Sequence, residues 1–223
     1  MQPLKIYMAD LTHDTIILVS DTVPINIGFI GSFAKKQFGD QIDISLFKYP
    51  QSLIDAIKSD PPDVLALSNY SWNSHLSERM ALLAKDTNPA VITVQGGTNF
   101  PHQVHQQRES LLKRPSTDYH VELEGESAFA NVISRVIESK RGEKGLFDSA
   151  VNGCVFIQPE TRNSDSPEVI TGIAPVRIKY LDEILSYITS HSDIWMTTAD
   201  DIAEYYIDNY YDQAVDHAKQ YRV

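Results

Sequence analysis

Four short segments hold the residues whose types and spacing could do chemistry: Asp10-Leu11-Thr12-His13, Ser68-Asn69-Tyr70-Ser71-Trp72-Asn73, Gln95-Gly96-Gly97-Thr98-Asn99-Phe100-Pro101 and Glu124-Gly125-Glu126. Together they offer a double glycine, aromatic rings and small hydrogen-bonding side chains, with no lysine or arginine. A di- or triphosphate site is normally better charged, and the chain has neither a glycine-rich phosphate loop with its lysine nor a GxGxxG turn after the first strand. Glycines that let backbone approach a broad, flat ligand suit a macrocyclic cofactor better.

The other reactive residue types have plainer readings. His102, His105 and Glu109 fall at helical spacing and could share a metal, but an exposed polar helix face explains them equally simply, so they are not taken as ligands. Glu124 and Glu126 could form an acid–base pair; Glu126 beside a helix start also stabilises that start. His13 is a contact from a rim loop, and Tyr70 and Trp72 either stack on a ligand or close the end of the sheet. Cys154 is the only cysteine, which rules out an internal disulfide and any cluster held by several thiolates of this chain. Its simplest role is a small buried residue in a strand.

Elements must bring these segments to one place. Of 223 residues, 42% are hydrophobic and 22% charged, enough for one domain with a full core plus an appendage. The formal charge of −11, with no basic concentration, argues against nucleic acid. Met1 to Asp10 carries one lysine and a short strand-like run, and nowhere do about eighteen apolar residues run together. The expectation is therefore a cytoplasmic protein with no membrane contact.

Short β-branched runs alternate with helical periods, the pattern of a doubly wound (flavodoxin-like or Rossmann-like) five-stranded parallel sheet with helices on both faces. The pattern predicts strands over Leu4 to Ala9, Ile42 to Phe47, Asp63 to Leu67, Ala90 to Val94 and Asp118 to Val121. It predicts helices from Pro24 to Gly39, Gln51 to Ser59, Ser74 to Lys85, His102 to Leu112 and Ser127 to Ser139. Gly153 to Ile157 reads as an added edge strand or hairpin arm, Pro159 to Pro167 as a loop, and Leu181 to Ser190 and Thr198 to Gln220 as tail helices. The expected division is 1–140 for the α/β domain, 141–180 for an extension and linker, and 181–223 for a helical tail. All four chemical segments then follow strand ends at the same rim, where open α/β sheets bind ligands.

The rim residues resemble those of the cobalamin (vitamin B12)-binding domain of cobalamin-dependent radical S-adenosylmethionine proteins. Ser68 stands after the third strand and Gly96-Gly97 after the fourth, 28 residues on, where that family flanks the cofactor's nucleotide tail. Asn99-Phe100-Pro101, Asp10-Leu11-Thr12-His13, Phe47-Lys48-Tyr49-Pro50 and Glu124-Gly125-Glu126 with Ala128-Phe129 are similar to the same subgroup, Leu123 standing where a glycine is usual. The likeness runs from about Lys5 to Glu183, where Arg177 to Glu183 looks like the linker before the family's catalytic barrel. A fainter likeness, Leu181 to Tyr210, is to the end of polysaccharide-deacetylase-type proteins, without the H-x3-H of their metal site.

The resemblance implies cobalamin as cofactor, and metal binding through its cobalt, contacted by Asp10, Leu11, Thr12, His13, Ser68, Asn69, Tyr70, Trp72, Gly96, Gly97, Thr98, Asn99, Phe100, Glu124, Gly125 and Glu126. The CxxxCxxC motif of the family's barrel is missing, so no iron–sulfur cluster and no radical catalysis are expected of this chain alone; a separate cluster-bearing protein would complete it, while the tyrosine-rich tail offers a docking face for the α/β domain or a second copy of the chain. The spacing Asp10-x-x-His13, with Ile16 in place of a glycine, departs from the DxHxxG of histidine-ligated relatives. The resemblance to the radical subgroup implies a base-off cofactor, with Ile16, Ile17, Leu18 and Val19 covering the face of its ring. The competing expectation is a degenerate fold that acts through protein interaction, for which Leu123, the hydrophobic first loop and the tyrosines of the tail speak.

Overall fold

The computed structural model describes residues 2–12, 23–173 and 178–220. His13 and Ile16 to Val19 lie outside the described residues. The chain divides into two compact units, Met1–Pro175 and Val176–Val223.

The first unit is a seven-stranded sheet in the order β2-β1-β3-β4-β5-β6-β7. Five strands are parallel: β1 (Leu4–Ala9), β2 (Ile42–Phe47), β3 (Val64–Ser68), β4 (Ile92–Gly96) and β5 (Tyr119–Val121). β6 (Cys154–Ile157) and β7 (Val169–Thr171) add an antiparallel hairpin at the β5 edge. The helices are α1 (Ile25–Phe38), α2 (Pro50–Ser59), α3 (Ser74–Thr87), α4 (Val104–Leu112) and α5 (Gly125–Lys140). The strand order reverses between β1 and β3, the switch point beyond which such sheets hold ligands.

Strand alternation sorts the core into layers. On one face Ile6, Met8, Val64, Ala66, Ile92, Val94, Tyr119 and Val121 pack with Ile27 and Ala34 of α1 and Phe129, Val132 and Val136 of α5. On the other, Tyr7, Ala9, Leu65 and Leu67 pack with Leu53 and Ile57 of α2 and Met80, Ala81 and Ala84 of α3. Leu111 of α4 closes on Val155 and Ile157 of the hairpin. Cys154 is fully buried, its thiol pKa pushed up to about 12 chiefly by burial. The loop between α5 and β6 is pinned by Arg135 of α5, only 6% exposed, which donates to the carbonyls of Leu146 and Ser149 at 3.1 and 3.0 Å and to Ser149 Oγ at 3.1 Å.

Several element ends shift by one or two residues from the sequence pattern, and two departures follow from strand pairing. β4 runs two residues further, to Gly96, because Gly96 pairs with Ser68 on one side and Val121 on the other. β7, the β-branched run Val169-Ile170-Thr171 that sequence patterning leaves unassigned because it is only three residues long, forms by pairing antiparallel with β6.

The second unit consists of α6 (Ile178–Thr189) and α7 (Ala199–Gln220). One face of α7 carries Asp201, Glu204, Asp208, Asp212 and Asp216; Ile202, Tyr206 and Tyr210 lie on the opposite side and are exposed. No helix among the described residues is long and apolar enough to cross a membrane.

Candidate functional site

The carboxyl ends of β1, β3, β4 and β5 open into a cleft of about 550 Å³ that runs down between the sheet and helices α1 and α5. Its walls are mostly apolar: Met8, Ala66 and Val94 from the sheet, Ile27, Phe29 and Ile30 from α1, and Phe129 from α5. No lysine or arginine lines it among the described residues; Glu122 and Glu126 supply acid, and Ser68, Tyr70, Thr98 and Asn26 supply neutral polar groups. A volume of this order suits one small-molecule moiety.

Of the residues singled out from the sequence, Ser68, Tyr70, Gly96, Gly97, Thr98, Phe100, Gly125 and Glu126 line the cleft. Asp10, Leu11, Thr12, Asn69, Trp72, Asn99 and Glu124 are not among its lining and stand behind or beside it. Ser68 donates through Oγ to Asp10 Oδ1 at 2.5 Å, and Asn73 Nδ2 reaches the same carboxylate oxygen at 3.2 Å and Ser68 Oγ at 2.8 Å. The loop after β1 is thus tied to the loop after β3, and Asp10 and Thr12 donate their backbone N–H groups to Phe47 and Lys48 carbonyls, both at 3.1 Å. Leu11 belongs to the core.

Asn69 is fully buried and braces Asn99: the Asn99 N–H donates to the Asn69 carbonyl at 3.2 Å, and Asn69 Nδ2 donates to the Asn99 carbonyl at 3.2 Å. Gly97 sits in this brace with φ 134°, and a Cβ there would lie 2.6 Å from the Asn69 carbonyl oxygen. The glycine is therefore required by the protein's own backbone as well as standing in the cleft lining. Trp72 stacks on Tyr70 at 4.6 Å between ring centroids and is 60% exposed, while Tyr70 Oη accepts from Asn26 Nδ2 at 2.7 Å. Glu124 is the N-cap residue of α5, and Glu126 lies in its first turn.

Sequence patterning missed the contribution of α1. Ile25 and Phe29, one turn apart, are 59% and 60% exposed, and Phe29 lines the cleft. An i, i+4 apolar pair normally signals core, so only the exposure distinguishes it. Leu123, noted in the sequence only as a departure from the motif, also lines the cleft, and His120 of β5 and Glu122 just after it were missed. His120 is buried against Phe100, ring centroids 3.6 Å apart, and its pKa is lowered to about 3 by burial first and the Arg114 guanidinium second. Burial raises the pKa of Glu122, opposed by the hydrogen bond donated by Gln107 Nε2 at 2.6 Å and by His102. Among the described residues no group of three or more His, Cys, Asp or Glu could hold a metal ion.

The B12 binding domain model matches residues 15–133, more than half of the chain. The chain belongs to the B12-binding domain family. It is similar to 2-(S-pantetheinyl)-carbapenam-3-carboxylate methyltransferase of Streptantibioticus cattleyicolor, 34% identical over 92 residues, which are 39% of this chain and 13% of that protein. It is also 30% identical over 118 residues, 50% of this chain and 17% of the other, to the cobalamin-dependent radical SAM methyltransferase TokK of Streptomyces tokunonensis. In fold it resembles the cobalamin-dependent S-adenosylmethionine radical enzyme OxsB, solved with aqua-cobalamin and S-adenosylmethionine bound. The TM-score is 0.57 at 14% identity, over 78% of this chain and 23% of OxsB. The chain thus spans under a quarter of the length of each of these proteins.

Proposed function

We propose that this chain binds cobalamin, with the nucleotide tail in the cleft and the corrin ring over its mouth. The observation that carries the reading is the cleft itself: deep, apolar, at the switch-point rim, with no cation among its described lining residues to favour a polyphosphate. The residues present fit such a tail. Met8, Ile27, Ile30, Val94 and Phe129 offer apolar surface to an aromatic base, while Ser68 and Thr98 can hydrogen-bond a sugar.

The cofactor is held base-off, its own base drawn into the cleft and away from the metal. His13 does not replace it. In this reading cobalamin supplies the group-transfer or redox chemistry, and this chain's residues bind and orient it; the iron–sulfur chemistry of radical relatives comes from elsewhere, a separate protein or a further segment. Membership of the B12-binding family and the names of the relatives support the cofactor class.

The test is titration with hydroxocobalamin and methylcobalamin, desalting, and a visible spectrum of the protein fraction. Colour that stays with the chain, with a base-off spectrum, is the expected result. A histidine-ligated spectrum would overturn the base-off assignment and restore His13 as a ligand. No retention by folded protein would overturn cobalamin binding and favour the interaction module.

A further inference from the structure

Leu123 is the only non-glycine described residue with positive φ, at 54°. It bridges the end of β5 at Val121 and the start of α5 at Gly125, and its side chain, 69% exposed, lines the cleft. A γ-branched side chain in the left-handed region is held at a conformational cost that glycine would avoid. In the protein alone the exposed isobutyl group gains little burial to offset that cost. Strain of this kind persists where a site uses the side chain. Phe29 is likewise exposed and lines the same cleft, so two large apolar groups, one on α1 and one on the β5–α5 turn, are available to whatever occupies it.

We infer that Leu123 is a specificity-determining contact for the ligand: its side chain packs, with Phe29, on apolar ligand surface emerging from the cleft. The inference rests on the corrinoid reading, in which that surface is the edge of the ring.

The test compares hydroxocobalamin affinity and thermal melting of the unmodified chain with Leu123→Ala, Leu123→Gly and Leu123→Met. Alanine and glycine should each weaken binding roughly tenfold, as loss of one mostly buried leucine contact implies, and methionine should stay within about twofold. The glycine variant should melt a few degrees above the alanine variant, because only glycine relieves the backbone. Unchanged affinity in the alanine and glycine variants, with the unmodified chain still retaining cobalamin, overturns this inference alone. Equal melting of those two variants overturns the strain argument behind it. Failure of the unmodified chain to retain cobalamin overturns the corrinoid reading and this inference together.

Discussion

His120 shows what burial does to one titratable side chain. It is 1% exposed, and its pKa is brought from 6.5 to about 3 mainly by removal from water, so the folded protein keeps it neutral. The unfolded chain takes up a proton below about pH 6.5 that the folded chain refuses. Stability from this group is therefore complete above that pH and declines as pH falls toward 3. The slope approaches about 1.4 kcal/mol per pH unit in that window. Urea midpoints of the unmodified chain and His120→Phe at about pH 7.5 and about pH 5 should diverge by roughly 2 kcal/mol in favour of the variant at the lower pH. Parallel pH profiles would show that His120 is not the group responsible. Nothing in the sequence marks this histidine, because Asp118 to Val121 reads only as a short strand. Its neutral state comes from Phe100 and Arg114, brought from other segments. The rim residues were legible for the opposite reason, since Ser68 and Gly96-Gly97 sit at strand ends set by chain order.

At the scale of elements, the parallel strands follow closely from local patterning. β1 and β2 have the boundaries that alternation predicts, because each is bounded by strong turn or helix signals. What patterning could not reach depends on pairing across long sequence separations: the extension of β4 to Gly96, the appearance of β7, and the part that Phe29 of α1 takes in the cleft. Arg135 is a further example, a charged residue in the buried stripe of α5 whose guanidinium holds the following loop through four hydrogen bonds. Arg135→Met keeps much of the packing volume and removes every donor, leaving the Leu146 and Ser149 carbonyls without that partner. The expected loss is about 2–4 kcal/mol in urea unfolding, with faster amide exchange over residues 146–150. A variant of unchanged stability would mean that water satisfies those carbonyls equally well.

For the molecule as a whole, every described residue lining the cleft belongs to the first unit, Met1–Pro175. Removal of residues 176–223 should therefore leave cobalamin retention unaltered, measured by the same desalting assay, with the shortened chain still unfolding in one cooperative transition. Loss of retention would assign the second unit a part in the site. The chain spans 13% and 17% of the length of these two relatives, and the exposed Ile202, Tyr206 and Tyr210 side of α7 is a surface on which a pull-down or cross-linking experiment can look for a partner.

The brace between Gly97 and Asn69 bears on how descent should be read in proteins of this kind. Any side chain at 97 collides with the backbone of Asn69 whether or not a cofactor is present, so selection for folding alone will preserve that glycine. A lineage that abandoned the vitamin would go on displaying this part of its signature long after the trait was lost. Position 123 is under no such obligation, since its positive φ would suit glycine at least as well as it suits leucine.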